Sequence, residues 1–268
     1  MPKKVRLDLH LLTKGFVDTR QKAQNLIRAG KVKDYLGRVL DKPGIEVPED
    51  LELKVQNPPR FVSRGGEKLL AALNAFPIQV QGRVCIDGGI STGGFTDCLL
   101  QHGASLVYGI DVGYGQIAWS IRIDKRVVLK ERTNLRYVTP EDLYETDSPR
   151  PTLAVADLSF ISLRKVIPVI KALLLEGADQ EALLLIKPQF EVGRERVGKG
   201  GVVRDPKAHL EAIEKIIEFS RSNNWKIKGV LPSPIKGPAG NSEYLLWLGT
   251  KGFDEFPNLK AIVLKNLS

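Results

Sequence analysis

"RVCIDGGISTGGFTDCLLQHG", residues 83–103, decides how the chain is read. It opens as a short apolar strand (83–87), ends that strand on Asp87, turns through Gly88, Gly89, Gly93 and Gly94, and continues as a helix. Glycines at such a turn let the backbone approach a ligand closely and bend tightly into the helix. The spacing from Gly89 to Gly93 is G-x-x-x-G, not the G-x-G-x-x-G that seats a dinucleotide pyrophosphate. A nucleoside with a charged tail fits such a turn better. A glycine-rich turn alone is also compatible with a purely structural role, so the reading depends on what surrounds it.

Downstream, strands alternate with helices. "LVYGID" (106–111), "RVVLKE" (126–131), "TLAVAD" (152–157), "EALLLIK" (181–187), "WKIKGVLP" (225–232) and "EYLLWLG" (243–249) read as strands. A helix is expected near 115–123, another over "SLRKVIPVIKALLL" (162–175) despite Pro168, and a long amphipathic one over "PKAHLEAIEKIIEFSRSN" (206–223). Alternation of this kind predicts an α/β fold with a mainly parallel sheet and helices on both faces. In such sheets ligands sit beyond the carboxyl ends of the strands, at the switch in strand order. Asp87, Asp111 and Asp157 all end strands, and Asp111 lies 24 residues after Asp87, placed to accept hydrogen bonds from ribose hydroxyls. This α/β domain spans 60–250, and residues 251–268 read as a polar tail with a weak strand signal in "AIVL" (261–264).

The first 59 residues have a different character. "DTRQKAQNLIRAGKV" (18–32) carries a helix start at Asp18 or Thr19 and a stop at Gly30. Ala23, Leu26 and Ile27 share one face, with Arg20, Gln24 and Arg28 on a neighbouring one, and Lys31 and Lys33 extend the basic surface. "LELKV" (51–55) is a half-buried strand, and the consecutive prolines of "NPPRF" (57–61) mark a boundary. Residues 1–60 hold 13 Lys and Arg against 8 Asp and Glu, so five of the nine excess positive charges sit in less than a quarter of the chain. A basic α+β module of this kind suits a polyanion, although a well-solvated segment would show the same imbalance.

Composition excludes several classes. Hydrophobic residues make up 43% and charged residues 26% of the 268 positions, ordinary for a soluble globular protein. Nothing approaches the roughly 18 uncharged apolar residues of a membrane span, and "MPKKVRLDLHLLTKG" has no apolar core before a cleavage site. Cys85 and Cys98 stand 13 apart without histidines at metal spacing, so no metal site is expected and a reducing, cytoplasmic setting is. His10, His102 and His209 stand alone and read as structural or surface residues; Tyr114 and Trp119 read equally as core or as stacking partners of a ligand.

Taken together, "VSRGGEKL" (62–69), "STGGFTDCLL" (91–100), "DVGYGQIAW" (111–119), "ERTN" (131–134), "DLSFISL" (157–163), "KPQFEVGRERVGKGGVVRD" (187–205) and "GNSE" (240–243) resemble the TlyA family. Its members are ribosomal-RNA 2′-O-methyltransferases, historically called haemolysins, with an FtsJ-like methyltransferase domain. The resemblance covers roughly 5–249 and implies a Rossmann-like class I S-adenosylmethionine-dependent fold with a seven-stranded sheet. Before it comes a small RNA-binding domain like one in a small-subunit ribosomal protein. It implies S-adenosylmethionine as cofactor and cytidine ribose of small- and large-subunit rRNA as substrate; no obligate protein partner is evident in the sequence. Cofactor contacts carried over are Asp87, Gly89, Ser91, Gly93, Gly94, Phe95, Asp111 and Asp157, with Asn134 near the adenine. Two stretches depart from the family pattern: "VKDYLGRVL" (32–40) replaces a V-N-G hairpin turn, and "DGGI" (87–90) stands where D-I-G-A is usual.

The strand over 181–187 ends on Lys187 after four aliphatics, where a lysine must reach solvent, pair with a carboxylate, or do chemistry. FtsJ-like enzymes use a Lys–Asp–Lys–Glu set, which the resemblance places on Lys68, Asp157, Lys187 and Glu243. A ribose 2′-hydroxyl must lose its proton as it attacks a sulfonium methyl. A lysine can take that proton if its pKa falls from about 10.4 toward neutrality. Lys187 is the expected base, Asp157 and Glu243 orient the lysines, and Lys68 positions the ribose; two plain ion pairs would use the same residues. Exocyclic-amine methylation fits poorly, because "DLSF" stands where a D/N-P-P-aromatic loop is needed, and neither cysteine follows a proline as carbon-five methylation requires. "GRERVGKG" (193–200) imitates a phosphate-binding loop but has Gly200 in place of the hydroxyl residue. Arg64, Arg194, Arg196, Lys199 and Arg204 are instead expected to meet RNA backbone, the last four from a mobile loop. A non-catalytic ribosome-assembly factor and a membrane-active haemolysin are the competing readings.

Overall fold

The computed structural model describes residues 3–56, 59–255 and 258–267. The chain forms two compact units, Met1–Arg60 and Phe61–Ser268. Pro58 of the proline pair expected at the boundary lies outside the described residues.

In the first unit the elements run β1 (Lys4–Arg6), α1 (Leu7–Thr13), α2 (Arg20–Arg28), β2 (Val32–Asp34), β3 (Glu46–Pro48) and β4 (Leu53–Val55). β1 pairs with β3 and β2 with β4, both antiparallel. Thr19 caps α2 by accepting from the Lys22 N–H. Leu7, Leu11, Ala23, Ile27, Val32 and Val47 form the core. The unusual hairpin after β2 is closed by Asp34, whose carboxylate accepts from the Leu36 and Arg38 N–H groups and from Arg38 Nε. That one acid replaces the turn chemistry which a V-N-G sequence would supply.

The second unit contains α3 (Gly65–Ala75), β5 (Val84–Gly88), α4 (Gly94–Gln101), β6 (Leu106–Ile110), α5 (Trp119–Arg122), β7 (Val127–Lys130), α6 (Pro140–Leu143) and β8 (Leu153–Ala156). It continues with α7 (Ile167–Leu173), β9 (Glu181–Ile186), α8 (Pro206–Ser222), β10 (Lys226–Pro232), β11 (Tyr244–Gly249) and α9 (Leu259–Leu267). The seven strands lie in the order β10-β11-β9-β8-β5-β6-β7, as a Rossmann-like sheet. β6, β5, β8 and β9 run parallel with β7, while β11 is antiparallel to both β9 and β10. Fully buried runs such as Leu153–Ala156 and Ala182–Ile186 are what a sheet covered on both faces requires. The order reverses between β5 and β8, so the loops leaving these strands diverge and open a crevice.

Three expectations need correction. The tail is a helix, not a strand: Leu259, Ile262, Val263 and Leu267 follow helical spacing and pack on the core, and Asn258 accepts from the Ala261 N–H at its start. Residues 162–175 are not one helix, because Pro168 can stand only in a first turn. A short 3₁₀ turn (Leu163–Lys165) precedes α7 instead. The helix expected near 115–123 is the four-residue α5.

Asp87 anchors the loop between β5 and α4. It is buried, and Thr96 Oγ1 donates to its Oδ2 at 2.7 Å. Burial pushes its carboxyl up to about 7, against the Thr96 hydrogen bond and with help from the nearby Asp157 and Asp111. An unfolded aspartate releases its proton near pH of about 4. The folded state thus favours the protonated form, and the stability this gives at low pH is lost as pH rises toward about 7. The unfolding free energy of the native chain minus that of Asp87→Asn is expected to fall between about pH 4 and 7 and then level off. Parallel denaturation curves across that window would show that Asp87 is not protonated in the folded chain.

Candidate active site

Four loops leave the carboxyl ends of adjacent parallel strands, and each begins with a residue singled out in the sequence. Gly89 follows β5, Asp111 follows β6, Asp157 follows β8 and Lys187 follows β9. Glu243 comes to the same edge differently. It precedes β11, whose antiparallel course puts its start beside the end of β9, with Tyr244 opposite Ile186. Lys68 arrives from the first turn of α3. That turn is tied to α4 by the Val62 N–H, which donates to Asp97 Oδ2 at 2.8 Å.

The glycine loop is bent as the sequence suggests, although not every residue in it meets a ligand space. Gly89 has φ +81, and a Cβ there would lie 2.8 Å from the Asp157 carbonyl oxygen, so the loops after β5 and β8 can cross only at glycine. Gly93 (φ +97) caps α4 in a left-handed conformation, and a Cβ on it would face Ile121. Its role is conformational; it lines neither cavity at this edge, and neither does the buried Asp87. Ser91, also left-handed at φ +49, donates its N–H to Asp111 Oδ2 at 2.8 Å, and the Gly113 N–H donates to Oδ1 at 2.7 Å. The glycine at position 88 leaves room for Leu135, whose methyl would lie 2.8 Å from a Cβ there.

Two adjoining cavities share Gly89, Ser91, Asp157 and Ser159. The larger, about 410 Å³, is lined by Asp111, Gly113, Gln116, Asn134, Leu135 and Phe160 among others. The smaller, about 310 Å³, is lined by Arg64, Lys68, Gly94, Phe95, Lys187 and Lys236 among others. Both fall in the range of small-molecule sites. An acid at the end of β6 and a turn of free-running backbone fit the ribose and the tail of a nucleoside cofactor. Tyr114 and Trp119 are exposed, so neither is core, and neither lines these cavities.

At the floor of the smaller cavity Lys68 Nζ donates to Glu243 Oε2 at 2.6 Å and to Asp157 Oδ2 at 3.4 Å. Lys187 Nζ lies 2.6 Å from Asp157 Oδ1, in an ion pair off the direction of a hydrogen bond, and donates to Ser159 Oγ at 2.9 Å. Both lysines are 7% exposed and Glu243 is 1% exposed. Two buried ammonium groups share one carboxylate, and the second acid belongs to Lys68 alone. Ser159 and Lys236 escaped the sequence reading. Ser159 lies in the quoted "DLSFISL", where its nearness to Asp157 was the available signal, whereas Lys236 belongs to no motif.

The basic residues divide into paired and unpaired. Arg20 is tied to buried Asp8 at 2.9 Å, and the Arg6 and Arg20 guanidiniums hold that carboxyl well below the usual range. Arg28 is exposed, and Lys31 and Lys33 are half-buried beside it in sequence. Arg196 pairs with Asp205 and Glu211. Arg194, Lys199 and Arg204 are exposed. The loop carrying them is not free: Asn241 accepts from the Val203 N–H and donates to the Gly201 carbonyl, and His209 Nε2 bonds the Val203 carbonyl. Its two 3₁₀ turns replace the strand–loop–helix of a phosphate-binding loop. His10 and His102 also engage backbone carbonyls. Among the described residues no cluster of His, Cys, Asp or Glu could hold a metal ion.

Residues 61–250 match the family described as FtsJ-like methyltransferase. The chain is 51% identical over 251 residues to YqxC of Bacillus subtilis, provisionally named an rRNA methyltransferase, a match covering 93% of this chain and 87% of the relative. It is 46% identical over 254 residues to the 16S/23S rRNA (cytidine-2′-O)-methyltransferase TlyA of Mycobacterium tuberculosis, covering 94% and 92%. A solved structure from Streptococcus thermophilus, provisionally named a haemolysin, superposes with a TM-score of 0.73 at 38% identity, covering 99% of this chain and 96% of that one. The strand-end loops, the cavities beyond them and this family match agree: the chain belongs to the FtsJ-like methyltransferases, enzymes that use S-adenosylmethionine.

Proposed function

We propose that this chain methylates the 2′-hydroxyl of cytidine ribose in small- and large-subunit ribosomal RNA, in the cytoplasm, with Lys187 as general base. The observation that carries this reading is the buried Lys68–Asp157–Lys187–Glu243 cluster beside a cavity continuous with the glycine loop. The printed activity of the Mycobacterium tuberculosis relative supplies the nucleoside and the atom. S-adenosylmethionine, when bound, supplies an electrophilic methyl group. Asp111 and Asn134 would hold its nucleoside in the larger cavity, and Ser91, Gly94 and Phe95 would border its tail.

The chain's own residues then handle one proton. Lys68 is held by two carboxylates and Lys187 by one, so Lys187 gives up fewer ion pairs when it releases its proton. In that neutral form it accepts the 2′-hydroxyl proton, and the ammonium so formed is stabilised by Asp157, already 2.6 Å away. Glu243 fixes Lys68 through the 2.6 Å ion pair, so that it can orient the ribose. Removing either acid would leave a buried ammonium uncompensated.

The other chemistries have less support. Cys85 is buried and its thiol is pushed up to about 12, unfit for nucleophilic attack on a pyrimidine. A non-catalytic assembly factor would have no use for four converging charged side chains. The membrane-active reading draws on names given to relatives; no helix among the described residues is long and apolar enough to cross a membrane.

Lys187→Ala should lower single-turnover methyl transfer to rRNA by about 10²–10⁴-fold while both ligands still bind, since the missing interaction belongs to the transition state. Lys187→Arg should fail as well, because guanidinium keeps its charge but cannot accept a proton. A near-native rate for Lys187→Arg would mean that this position supplies charge only.

The basic module makes a separate prediction. Replacing Arg28, Lys31 and Lys33 together by glutamine should leave cofactor affinity unchanged and weaken rRNA binding. The log–log salt slope should fall by about one for each phosphate that is no longer neutralised. An unchanged slope would place the RNA elsewhere.

A further inference from the structure

The smaller cavity carries more positive charge than its acids neutralise. Arg64, Lys68, Lys187 and Lys236 line it, with Asp157 as the one lining acid and Glu243 behind Lys68. Lys68 and Lys187 consume both carboxylates. Arg64 and Lys236 are exposed and make no ion pair among the described residues. They come from different elements, Arg64 from the start of α3 and Lys236 from the loop between β10 and β11.

The position of Lys236 is built. The Gly237 N–H donates to the Asn241 carbonyl and the Gly240 N–H to the Gly237 carbonyl, closing a tight turn. Ser233 Oγ donates to the Ile235 carbonyl at 2.7 Å. A Cβ on Gly237 would meet Glu243 Oε1, so the turn lies directly on the catalytic carboxylate. Lys236 thereby lines the same cavity as Lys68 while staying out of its ion pairs.

Two unpaired cations at the rim of a cavity whose floor is already neutralised call for an anion. We propose that Lys236 and Arg64 grip the phosphodiester groups flanking the target nucleotide. The inference rests on the RNA reading above. The reacting centre of the cofactor is a sulfonium cation, which such charges would repel, whereas the phosphates flanking one ribose suit two cations from different elements. The carboxylate of the cofactor's methionine tail is the other anion that could reach this rim, and the experiment separates the two.

The test uses the full chain, S-adenosylmethionine and rRNA. The native enzyme must first methylate rRNA; failure there would remove the RNA reading itself and not just this refinement. Lys236→Gln should raise KM for RNA severalfold with little change in kcat, and reduce the salt slope of RNA binding by about one. Lys236→Arg should restore both, since a phosphate contact needs only a cation with donors. Lys215→Gln, on the exposed face of α8, removes the same charge and should leave the slope unchanged. An unchanged slope in Lys236→Gln, a slope equally lowered in Lys215→Gln, or weakened binding of S-adenosylmethionine in place of RNA would each overturn the proposal.

Discussion

Asp157 lies between two buried lysines, 2.6 Å from Lys187 and 3.4 Å from Lys68, and the arrangement of this edge of the sheet depends on it. Two ammonium groups excluded from water would repel strongly, and each alone would favour the neutral form. One shared carboxylate, with Glu243 added on the Lys68 side, makes their proximity tolerable. Such clusters are expensive to bury and contribute little net stability against an apolar alternative. On the reading proposed above, a cluster in a cavity beside the glycine loop serves the proton that must be moved there. Every strand in the middle of the sheet is oriented so that these groups converge. β8 delivers Asp157, β9 delivers Lys187, and the antiparallel β11 returns Glu243 to the same edge.

The sheet also explains why the two cavities adjoin. β5 and β8 are neighbours, and the strand order reverses there, so their loops must part. Gly89 lets them touch once, against the Asp157 backbone, before they separate. Asp111 then stiffens the far side by accepting from Ser91 and Gly113. The two cavities thus share one wall, and in the proposed reading that wall separates the nucleoside of the methyl donor from the lysine pair.

Much of this was legible in the residues. The unbroken aliphatics before Lys187 and the acids ending three strands marked the functional edge, because parallel strands covered on both faces leave polar residues only at their ends. The glycine turn revealed its bend, but not that Gly93 serves α4 and Gly89 serves the crossing of two loops. Pairing was hidden. Arg20 and Arg196 look like free cations in sequence, yet Asp8, Asp205 and Glu211 neutralise them from distant or folded-back positions. The tail reads as a strand because "AIVL" is short and holds two β-branched residues; its helical stripe is complete only with Leu259 and Leu267 on either side of it. Lys236 carries no motif, and its place beside the cavity comes from a turn folded onto Glu243.

On the reading proposed for this site, the chain transfers a methyl group to a ribose oxygen and not to a base. The most direct measurement is to incubate the purified protein with unmodified ribosomal RNA and methyl-labelled S-adenosylmethionine, digest the RNA to nucleosides, and identify where the label resides. Label recovered as 2′-O-methylcytidine, and absent when the target cytidine is replaced by its 2′-deoxy form, is the expected result. Label on a base nitrogen or carbon, or label retained by the 2′-deoxy RNA, would contradict it.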